Sequence, residues 1–143
     1  MTSVLIVDDD EQLRRAVGRV LSTHGFECRA VASVQDALAA VATDGPDIVL
    51  LDVALGTDSG LEMHRALRNA HGQLPAVIFT TSQRDIFATM LEQLGPIDDW
   101  IIKPWDPAEF IARVRLAAKR VQRDRAARSE AGGRRAGDTL PRG

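Results

Sequence analysis

Several features are scarce in this sequence, and each absence excludes a class of protein. Cys28 is the only cysteine, which excludes an intramolecular disulfide and a cysteine-based metal site. No apolar run approaches the roughly 20 residues that a membrane span needs. The first apolar run, Val4–Val7, is too short for a secretory signal and lacks basic flanks. We therefore expect a soluble, cytoplasmic protein without a membrane partner.

A glycine-rich phosphate loop is also absent. Neither Gly-x-Gly-x-x-Gly nor Gly-x-x-x-x-Gly-Lys follows the first apolar run, which excludes the common dinucleotide and nucleoside triphosphate sites. Four acids, Asp8 to Glu11, stand there instead. Their charge would repel a pyrophosphate.

Charge is distributed unevenly along the 143 residues. Residues 1–112 hold 17 acidic and 8 basic side chains, whereas residues 113–143 hold 3 acidic and 10 basic ones. An acidic body disfavours nucleic-acid binding by the globular part, because phosphate backbones would be repelled. The basic segment could contact nucleic acid or an acidic partner, but a solvated helix end and linker is the simpler interpretation.

Short apolar runs alternate with helical patterns along most of the chain. Five runs predict buried strands: Val4–Val7, Phe26–Ala32, Ile48–Leu51, Ala76–Phe79 and Trp100–Ile102. Apolar positions spaced three and four residues apart predict a helix after each strand. The fourth of these helices is predicted to begin at the Ser82 cap. This alternation indicates an α/β protein, a doubly wound parallel sheet with helices on both faces.

The last helix is predicted to begin after Asp106, which has the sequence context of an N-cap. Its apolar stripe ends at Val121, and we expect fraying and then disorder from about residue 128. The chain is accordingly divided into a folded domain at 1–122 and a basic, disordered tail or linker at 123–143.

Polar side chains follow four of the five predicted strands. They are Asp8 and Asp9 after the first, Asp52 after the third, Thr80 after the fourth and Lys103 after the fifth. The carboxyl ends of parallel strands meet at one edge, so we expect these side chains to share a pocket. Clustered carboxylates repel one another unless a cation is bound or their pKa values rise. Oxygen-only ligands favour Mg²⁺ or Mn²⁺ over zinc.

This pocket combines the groups that phosphoryl transfer to a carboxylate requires. Asp52 beside Mg²⁺ can attack phosphorus and form an acyl phosphate. The ammonium of Lys103 and the hydroxyl of Thr80 would contact the transferred oxygens. A haloacid-dehalogenase-type phosphatase would place a second acid two residues after its nucleophile, where this chain has Ala54.

At these residues the sequence resembles the receiver domain of two-component response regulators, the CheY-like family. The resemblance covers about residues 3–121 and is carried by short motifs, namely Val7-Asp8-Asp9, Leu50-Leu51-Asp52 with Gly60 downstream, Thr80, and Ile102-Lys103-Pro104. It implies a flavodoxin-like (βα)5 fold with the strand order 2-1-3-4-5.

The resemblance also implies how the pocket works. Asp52 would be the phosphoacceptor, supplied by a sensor histidine kinase or a phosphotransfer protein. Asp9 would bind Mg²⁺ directly, Asp8 would hold metal-bound waters, and the backbone carbonyl of Ala54 would be a further ligand. The domain would then be a signalling device rather than an enzyme, since it turns over no external substrate.

A switch is implied by the same resemblance. Thr80 would bond a phosphate oxygen and Lys103 would pair with it, with a cis bond between Lys103 and Pro104. Trp100 stands where the family has an aromatic switch residue. Phosphorylation would change the surface formed by helix four, strand five and helix five, which could also support a homodimer or contact a downstream output protein. The candidate surface residues are Arg84, Asp99, Glu109 and Arg113.

Two departures from the family pattern concern rates and partner choice rather than the chemistry. Gly56 stands where the family usually has Pro, so the loop after Asp52 is expected to be more flexible. The turn Gly95–Asp99 is stiffer and more acidic than the family's usual stretch.

Three alternative functions are left open by the sequence. The chain could be the N-terminal input domain of a larger regulator, with a signalling enzyme or DNA-binding output, cut at the linker. The Lys103-Pro104-Trp105 run resembles receivers attached to signalling enzymes. It could also be a vestigial interaction module without phosphorylation, or a Mg²⁺-dependent phosphatase that turns over free phosphoesters.

Overall fold

The computed structural model describes residues 1–82, 92–96 and 98–138, and over residues 132–138 it describes the backbone alone. The strands within these ranges are β1 (Ser3–Val7), β2 (Glu27–Val31), β3 (Ile48–Asp52), β4 (Ala54–Leu55), β5 (Asp58–Ser59), β6 (Ala76–Thr81) and β7 (Asp99–Ile102). The helices are α1 (Glu11–Thr23), α2 (Val34–Asp44), α3 (Gly60–His71) and the C-terminal helix (Pro107–Asp138).

Five strands form one parallel sheet in the order β2-β1-β3-β6-β7. Counted among these five alone, the order is 2-1-3-4-5, so the predicted fold is confirmed. The chain moves outward in one direction from β1 to β2 and in the other from β3 to β7. This reversal places a crevice at the carboxyl ends of β1 and β3.

The central strands form where predicted because their apolar side chains are buried on both faces of the sheet. Val4–Val7 and Ile48–Leu51 are all at most 3% exposed. Side chains alternate between the two faces. Ile6 therefore packs in the core under α1 and the C-terminal helix, whereas Leu5 packs in the core under α2 and α3.

The strand boundaries differ from the sequence pattern by one or two residues; β1 begins one residue earlier, at Ser3, and β3 ends one residue later, at Asp52. The second strand is one residue shorter at each end than predicted, and β7 begins one residue earlier, at Asp99. The fourth predicted strand extends past Phe79 to include Thr80 and Thr81, which are buried and paired with neighbouring strands. Thr80 therefore lies within the sheet, directly beside Asp52.

Side-chain caps define the helix starts. Asp10 accepts hydrogen bonds from the second and third residues of α1, and Ser33 accepts one from Asp36 at the start of α2. Asp106 accepts one from Glu109 N at 3.3 Å at the start of the C-terminal helix. The helix predicted from Ser82 lies largely outside the described residues. Within the described part of the chain, every helix falls short, in length or apolar content, of what a bilayer crossing requires.

The C-terminal helix is longer than the sequence pattern predicted. It continues to Asp138, whereas fraying and disorder were expected from about residue 128. The apolar stripe does end at Val121, but alanine and arginine, which fill the next turns, are strong helix formers. Arg128 also pairs with Asp124 one turn earlier, at 2.6 Å.

An ion pair ties this extension to the body of the protein. Arg125 Nη1 lies 2.7 Å from Asp47 Oδ1, and Asp47 precedes β3 at the amino-terminal edge of the sheet. The other Asp47 oxygen accepts from Ser3 N at 2.8 Å. The division of the chain into a domain at 1–122 and a separate basic segment at 123–143 stays a prediction.

Candidate functional site

Three carboxylates meet at the carboxyl edge of the sheet. Asp8 follows β1, Asp9 comes next, and Asp52 ends β3, so the crevice between these two strands brings them together. One carboxylate oxygen from each residue lies within 4.8 Å of the others. Asp8 is only 3% exposed, whereas Asp9 is exposed. With Lys103, these residues are called the acidic pocket below.

The ammonium of Lys103 bridges two of the three carboxylates. Its Nζ lies 2.8 Å from Asp8 Oδ2 and 3.3 Å from Asp52 Oδ2. The Lys103 N–H donates to the Thr81 carbonyl at 2.7 Å, and the Lys103–Pro104 peptide bond is cis. One positive charge thus faces three negative ones, and the acidic pocket keeps a net negative charge.

Burial and charge shift the pKa values of this lysine and of Asp52. Partial burial raises the pKa of Asp52, and the Asp8 charge adds to the rise; Lys103 and the Ala54 N–H offset it only in part. Burial alone would lower the pKa of Lys103, but its hydrogen bond to Asp8 and the charge of Asp52 outweigh that effect and raise it. The lysine stays charged, and the Asp52 carboxylate is incompletely stabilised.

The donor set of the acidic pocket fits a hard divalent cation. Asp8, Asp9 and Asp52 offer oxygen ligands only, and uncompensated negative charge accompanies them. Such a set suits Mg²⁺ or Mn²⁺. Ala54 is exposed at the start of β4, and its N–H donates to Asp52 Oδ1 at 3.1 Å. Its carbonyl as a further ligand stays a prediction.

A close backbone contact fixes the chain behind Asp52. Gly60, the first residue of α3, donates its N–H to the Val53 carbonyl at 2.8 Å. A Cβ atom at position 60 would lie 2.9 Å from Val53 Cα and still closer to the Asp52 carbonyl oxygen. Only glycine permits this approach, so the start of α3 packs directly against the backbone of the candidate phosphoacceptor.

The loop between Asp52 and α3 folds into a small hairpin that the sequence pattern did not predict. Its strands are β4 and β5, in which Ala54 pairs with Ser59 and Leu55 with Asp58. Gly56 occupies the turn with φ +62°. The only sequence signal for this hairpin is Gly56, two residues before Asp58. Strands of two residues are too short to show an alternating pattern of apolar residues.

Thr80 and Trp100 lie on opposite faces of the sheet. Thr80 is 4% exposed and pairs with Asp52 on one side and Ile101 on the other. Trp100 pairs with Phe79 and packs in the core under α3. Because side chains alternate along a strand, Thr80 projects toward the α1 side and Trp100 away from it.

Every polar atom of Asp8 has a partner. Its N–H donates to Val31 O at 3.2 Å, its carbonyl accepts from Arg14 Nη1 at 2.8 Å, and its carboxylate accepts from Asp10 N at 2.9 Å and from Lys103 Nζ. Sequence reasoning missed Arg14. A charged residue at the margin of an apolar helix face was its only sequence signal, and such residues are common.

A second group of charged side chains, here called the Asp98 cluster, lies between α3 and β7. Its members are His64, Arg68 and Asp98. The Asp98 carboxylate accepts hydrogen bonds from His64 Nε2 at 2.7 Å, Arg68 Nη2 at 2.5 Å, Val77 N at 2.9 Å and Gly95 N at 2.9 Å. Burial would raise the pKa of Asp98, but the bonds from His64 and Arg68 outweigh it and lower the pKa to about 2.

Three of the four candidate surface residues form one ion-pair group. Arg113 Nη1 lies 3.0 Å from both carboxylate oxygens of Asp99, and its Nε lies 3.1 Å from Glu109 Oε1. The fourth, Arg84, lies outside the described residues. The group joins β7 to the C-terminal helix at the edge of the sheet.

Comparison with known sequences matches most of this chain. The model of the response regulator receiver domain family matches residues 4–115. Sensory transduction protein RegX3 of Mycolicibacterium smegmatis is 38% identical over 120 residues, which are 84% of this chain and 52% of RegX3. RegX3 of Mycobacterium tuberculosis gives the same identity and coverage. The chain spans about half the length of these curated relatives.

Solved structures share the fold. NtrX from Brucella abortus superposes with a TM-score of 0.78 at 26% identity, over 87% of this chain and 29% of NtrX. A CheY-like receiver domain protein from Methanospirillum hungatei also gives a TM-score of 0.78, at 20% identity, over 87% of this chain and 98% of its own. The second likeness is one of fold alone.

Proposed function

This chain belongs to the response regulator receiver domain family of two-component signalling, and on that premise we propose that Asp52 is its phosphoacceptor. A sensor histidine kinase or phosphotransfer protein donates the phosphoryl group, and the reaction depends on Mg²⁺. The observation that carries the proposal is the convergence of three carboxylates and Lys103 at the crevice of the sheet.

Asp52 supplies the nucleophile in this proposal. One of its carboxylate oxygens attacks the phosphorus of a phosphohistidine; the phosphorus–nitrogen bond breaks, and the leaving imidazole keeps the electron pair and takes up a proton. The Asp52 side chain is 13% exposed, which leaves it accessible to a donor. Its raised pKa indicates that its charge is poorly compensated without a cation.

Lys103 and Thr80 would hold the transferred group. The Lys103 ammonium already lies 3.3 Å from Asp52 Oδ2, so it can pair with a phosphoryl oxygen on that carboxylate. Thr80 is the cross-strand neighbour of Asp52. Mg²⁺, bound by Asp9, Asp52 and the Ala54 carbonyl with Asp8 holding its waters, would supply the positive charge that lets phosphoryl oxygens enter an acidic pocket.

The signal would leave the acidic pocket through β6 and β7. Since Thr80 and Trp100 project from opposite faces of the sheet, a change at Thr80 would reach Trp100 through the backbone ladder between these strands. The surface it would alter includes the Asp99–Arg113 pair. A downstream protein or a second copy of the domain would read that surface.

Treatment with acetyl phosphate and Mg²⁺, followed by mass spectrometry, tests the proposal. The wild-type protein is expected to gain one phosphoryl group, and Asp52→Asn to gain none. Asp58→Asn is the matched control, because Asp58 is an exposed acid in the hairpin that follows Asp52. Equal labelling of Asp52→Asn would place the acceptor elsewhere and contradict the proposal.

A wider role is favoured by the length of the relatives. Because RegX3 is about twice as long as the matched region, we also propose that this receiver serves a larger cytoplasmic regulator as its N-terminal input domain. A signalling enzyme or a DNA-binding domain would be the output. Sequencing the complete gene tests this directly, since a gene ending at Gly143 would contradict it.

Two other roles predict different results in the labelling experiment. A vestigial interaction module would take up no phosphoryl group under any condition. A Mg²⁺-dependent phosphatase would release inorganic phosphate from free phosphoesters over many turnovers, whereas a receiver releases no more than its own single phosphoryl group per cycle.

A further inference from the structure

Asp8 stands where the chain leaves the sheet. β1 ends at Val7, and the Asp8 N–H still donates to Val31 on the neighbouring strand at 3.2 Å. The Asp8 carbonyl oxygen instead accepts a hydrogen bond from Arg14 Nη1 at 2.8 Å. A guanidinium from the first turns of α1 therefore holds the peptide that follows the strand.

That peptide joins two candidate metal ligands. Because the Asp8–Asp9 peptide bond is planar, the direction of the Asp8 carbonyl also fixes the direction in which the chain enters Asp9. The Asp8 carboxylate is held independently, by Asp10 N and Lys103 Nζ. Among the described residues, none donates a hydrogen bond to the Asp9 carboxylate. Its position depends on the backbone: Arg14 holds the peptide that enters Asp9, and the Asp8 carboxylate, through Asp10 N, holds the peptide that leaves it.

We propose that Arg14 is a positioning residue that orients the Asp8–Asp9 peptide and so places the Asp9 carboxylate for Mg²⁺. The inference rests on the proposed function, because it concerns the same metal site. Arg14 contacts neither the cation nor the phosphoryl group. It acts only through the backbone of the acidic pocket.

Charge and positioning predict opposite results when Arg14 is removed. A positive charge beside a cation site repels the cation, so loss of a guanidinium that acted only as a charge would tighten Mg²⁺ binding. Loss of a positioning hydrogen bond would weaken it, because Asp9 would have to be ordered when the cation binds. The sign of the change therefore distinguishes the two roles.

Calorimetric Mg²⁺ titration of the wild type and four variants tests this. Arg14→Ala is expected to raise the dissociation constant about tenfold, the scale for residues that orient metal ligands. Arg14→Lys should recover part of the loss, because an ammonium can donate to the same carbonyl. Arg14→Met, which keeps the apolar stem, should behave like Arg14→Ala and replaces it if that variant fails to fold.

Arg15→Ala is the matched control. Arg15 is the next residue of α1, its side chain is 75% exposed, and it pairs with Glu11 at 2.8 Å on the same helix. Its removal takes away the same charge without touching the Asp8 carbonyl, and Mg²⁺ affinity is expected to stay at the wild-type value because solvent and salt screen a charge this exposed. Equal weakening in Arg15→Ala would overturn the inference.

Two further readouts separate positioning from a general effect on stability. At saturating Mg²⁺, the rate of labelling by acetyl phosphate should match the wild type, because Arg14 touches no reacting atom. A purely structural role would lower the melting temperature of the metal-free protein and leave the Mg²⁺ dissociation constant unchanged. Unchanged or tighter binding in Arg14→Ala and Arg14→Met overturns the inference. A wild type that binds no Mg²⁺ overturns the metal site itself.

Discussion

The acidic pocket and the Asp98 cluster surround a carboxylate in opposite ways. In both, burial is the largest single influence and raises the pKa of the acid. In the Asp98 cluster, donors from three sides outweigh burial, and the pKa of Asp98 falls to about 2. In the acidic pocket the donors are too few, and the pKa of Asp52 stays raised.

This difference distinguishes a carboxylate whose charge the fold compensates from one whose charge it compensates only in part. The Asp98 cluster is complete with the protein's own atoms, and within the described residues no buried side-chain nitrogen or oxygen lacks a partner. The acidic pocket gathers three carboxylates against the single ammonium of Lys103, and an added cation could balance the remaining charge. Binding and chemistry are expected where charge is incompletely compensated in a crevice at the carboxyl ends of parallel strands.

The largest expected effect is loss of stability when Asp98 is neutralised. Asp98→Asn leaves the partly buried Arg68 guanidinium without its counter-charge, which should cost about 3–5 kcal/mol in the free energy of unfolding. The measurement is urea denaturation at neutral pH. Asp99→Asn is the control, because Asp99 pairs with the more exposed Arg113 and should cost about 1 kcal/mol or less. Equal losses of stability in Asp98→Asn and Asp99→Asn would show that the Asp98 cluster stabilises the fold no more than the Asp99–Arg113 ion pair does.

A smaller loss is expected from Gly60→Ala. The added methyl group would press on the backbone of Asp52 and Val53, and overpacking of this kind costs about 1–3 kcal/mol. Gly18→Ala is the control, and it should increase stability. The nearest atom to the added Cβ would be Ile6 Cδ1 at 3.9 Å, and alanine favours a helix over glycine by about 1 kcal/mol. Thermal unfolding of both variants measures the difference, and a stable Gly60→Ala would show that the contact is not tight.

Added Mg²⁺ should stabilise the acidic pocket and leave the Asp98 cluster unaffected. At tenfold excess over the dissociation constant, binding to the native state alone adds about 1.4 kcal/mol, which raises the melting temperature. Asp9→Asn should abolish this response, whereas Asp99→Asn should keep it. A rise of equal size in Asp9→Asn would contradict the metal site.

The smallest expected effect concerns pH. The folded-state pKa of Asp52 is raised, so its ionisation opposes folding, and Asp52→Asn should be more stable than the wild type at neutral pH. That advantage should vanish as the pH falls and Asp52 takes up a proton. Asp98 has the opposite effect on the pH dependence of stability. Its contribution to the free energy of unfolding is present above its ordinary pKa of 3.8 and is lost as the pH falls toward about 2. Urea unfolding between pH 7 and about pH 2 covers both titrations, and parallel slopes for the wild type and Asp52→Asn would contradict the assignment for Asp52.

Much of the fold and pocket followed from local sequence patterns. Buried runs such as Ile48–Leu51 mark central strands, and a polar residue directly after such a run, like Asp52, must lie at the carboxyl edge. The carboxyl ends of parallel strands lie at one edge of the sheet, so these residues come together however far apart they are in the sequence. The strand order came from the resemblance to a family, since no local pattern encodes it.

Contacts that depend on distant partners were not predictable in this way. His64 and Asp98 are 34 residues apart, and each alone has the ordinary appearance of a surface residue in the sequence. The end of the C-terminal helix was misjudged for a related reason, because only its apolar stripe was considered. The pairing of Arg125 with Asp47 requires knowledge of where that helix passes the sheet.

The anchored C-terminal helix has a mechanical consequence. Asp138 lies 13 residues beyond Arg125 along the helix, or about 20 Å at 1.5 Å per residue. A tilt of about 5° around the Asp47 contact would carry the far end through almost 2 Å, a displacement comparable with the helix shifts that switch proteins use. A small reorientation of the domain's last packed turns would therefore displace the end of the helix more than its start, with the pivot at the edge of the sheet opposite to the carboxylates.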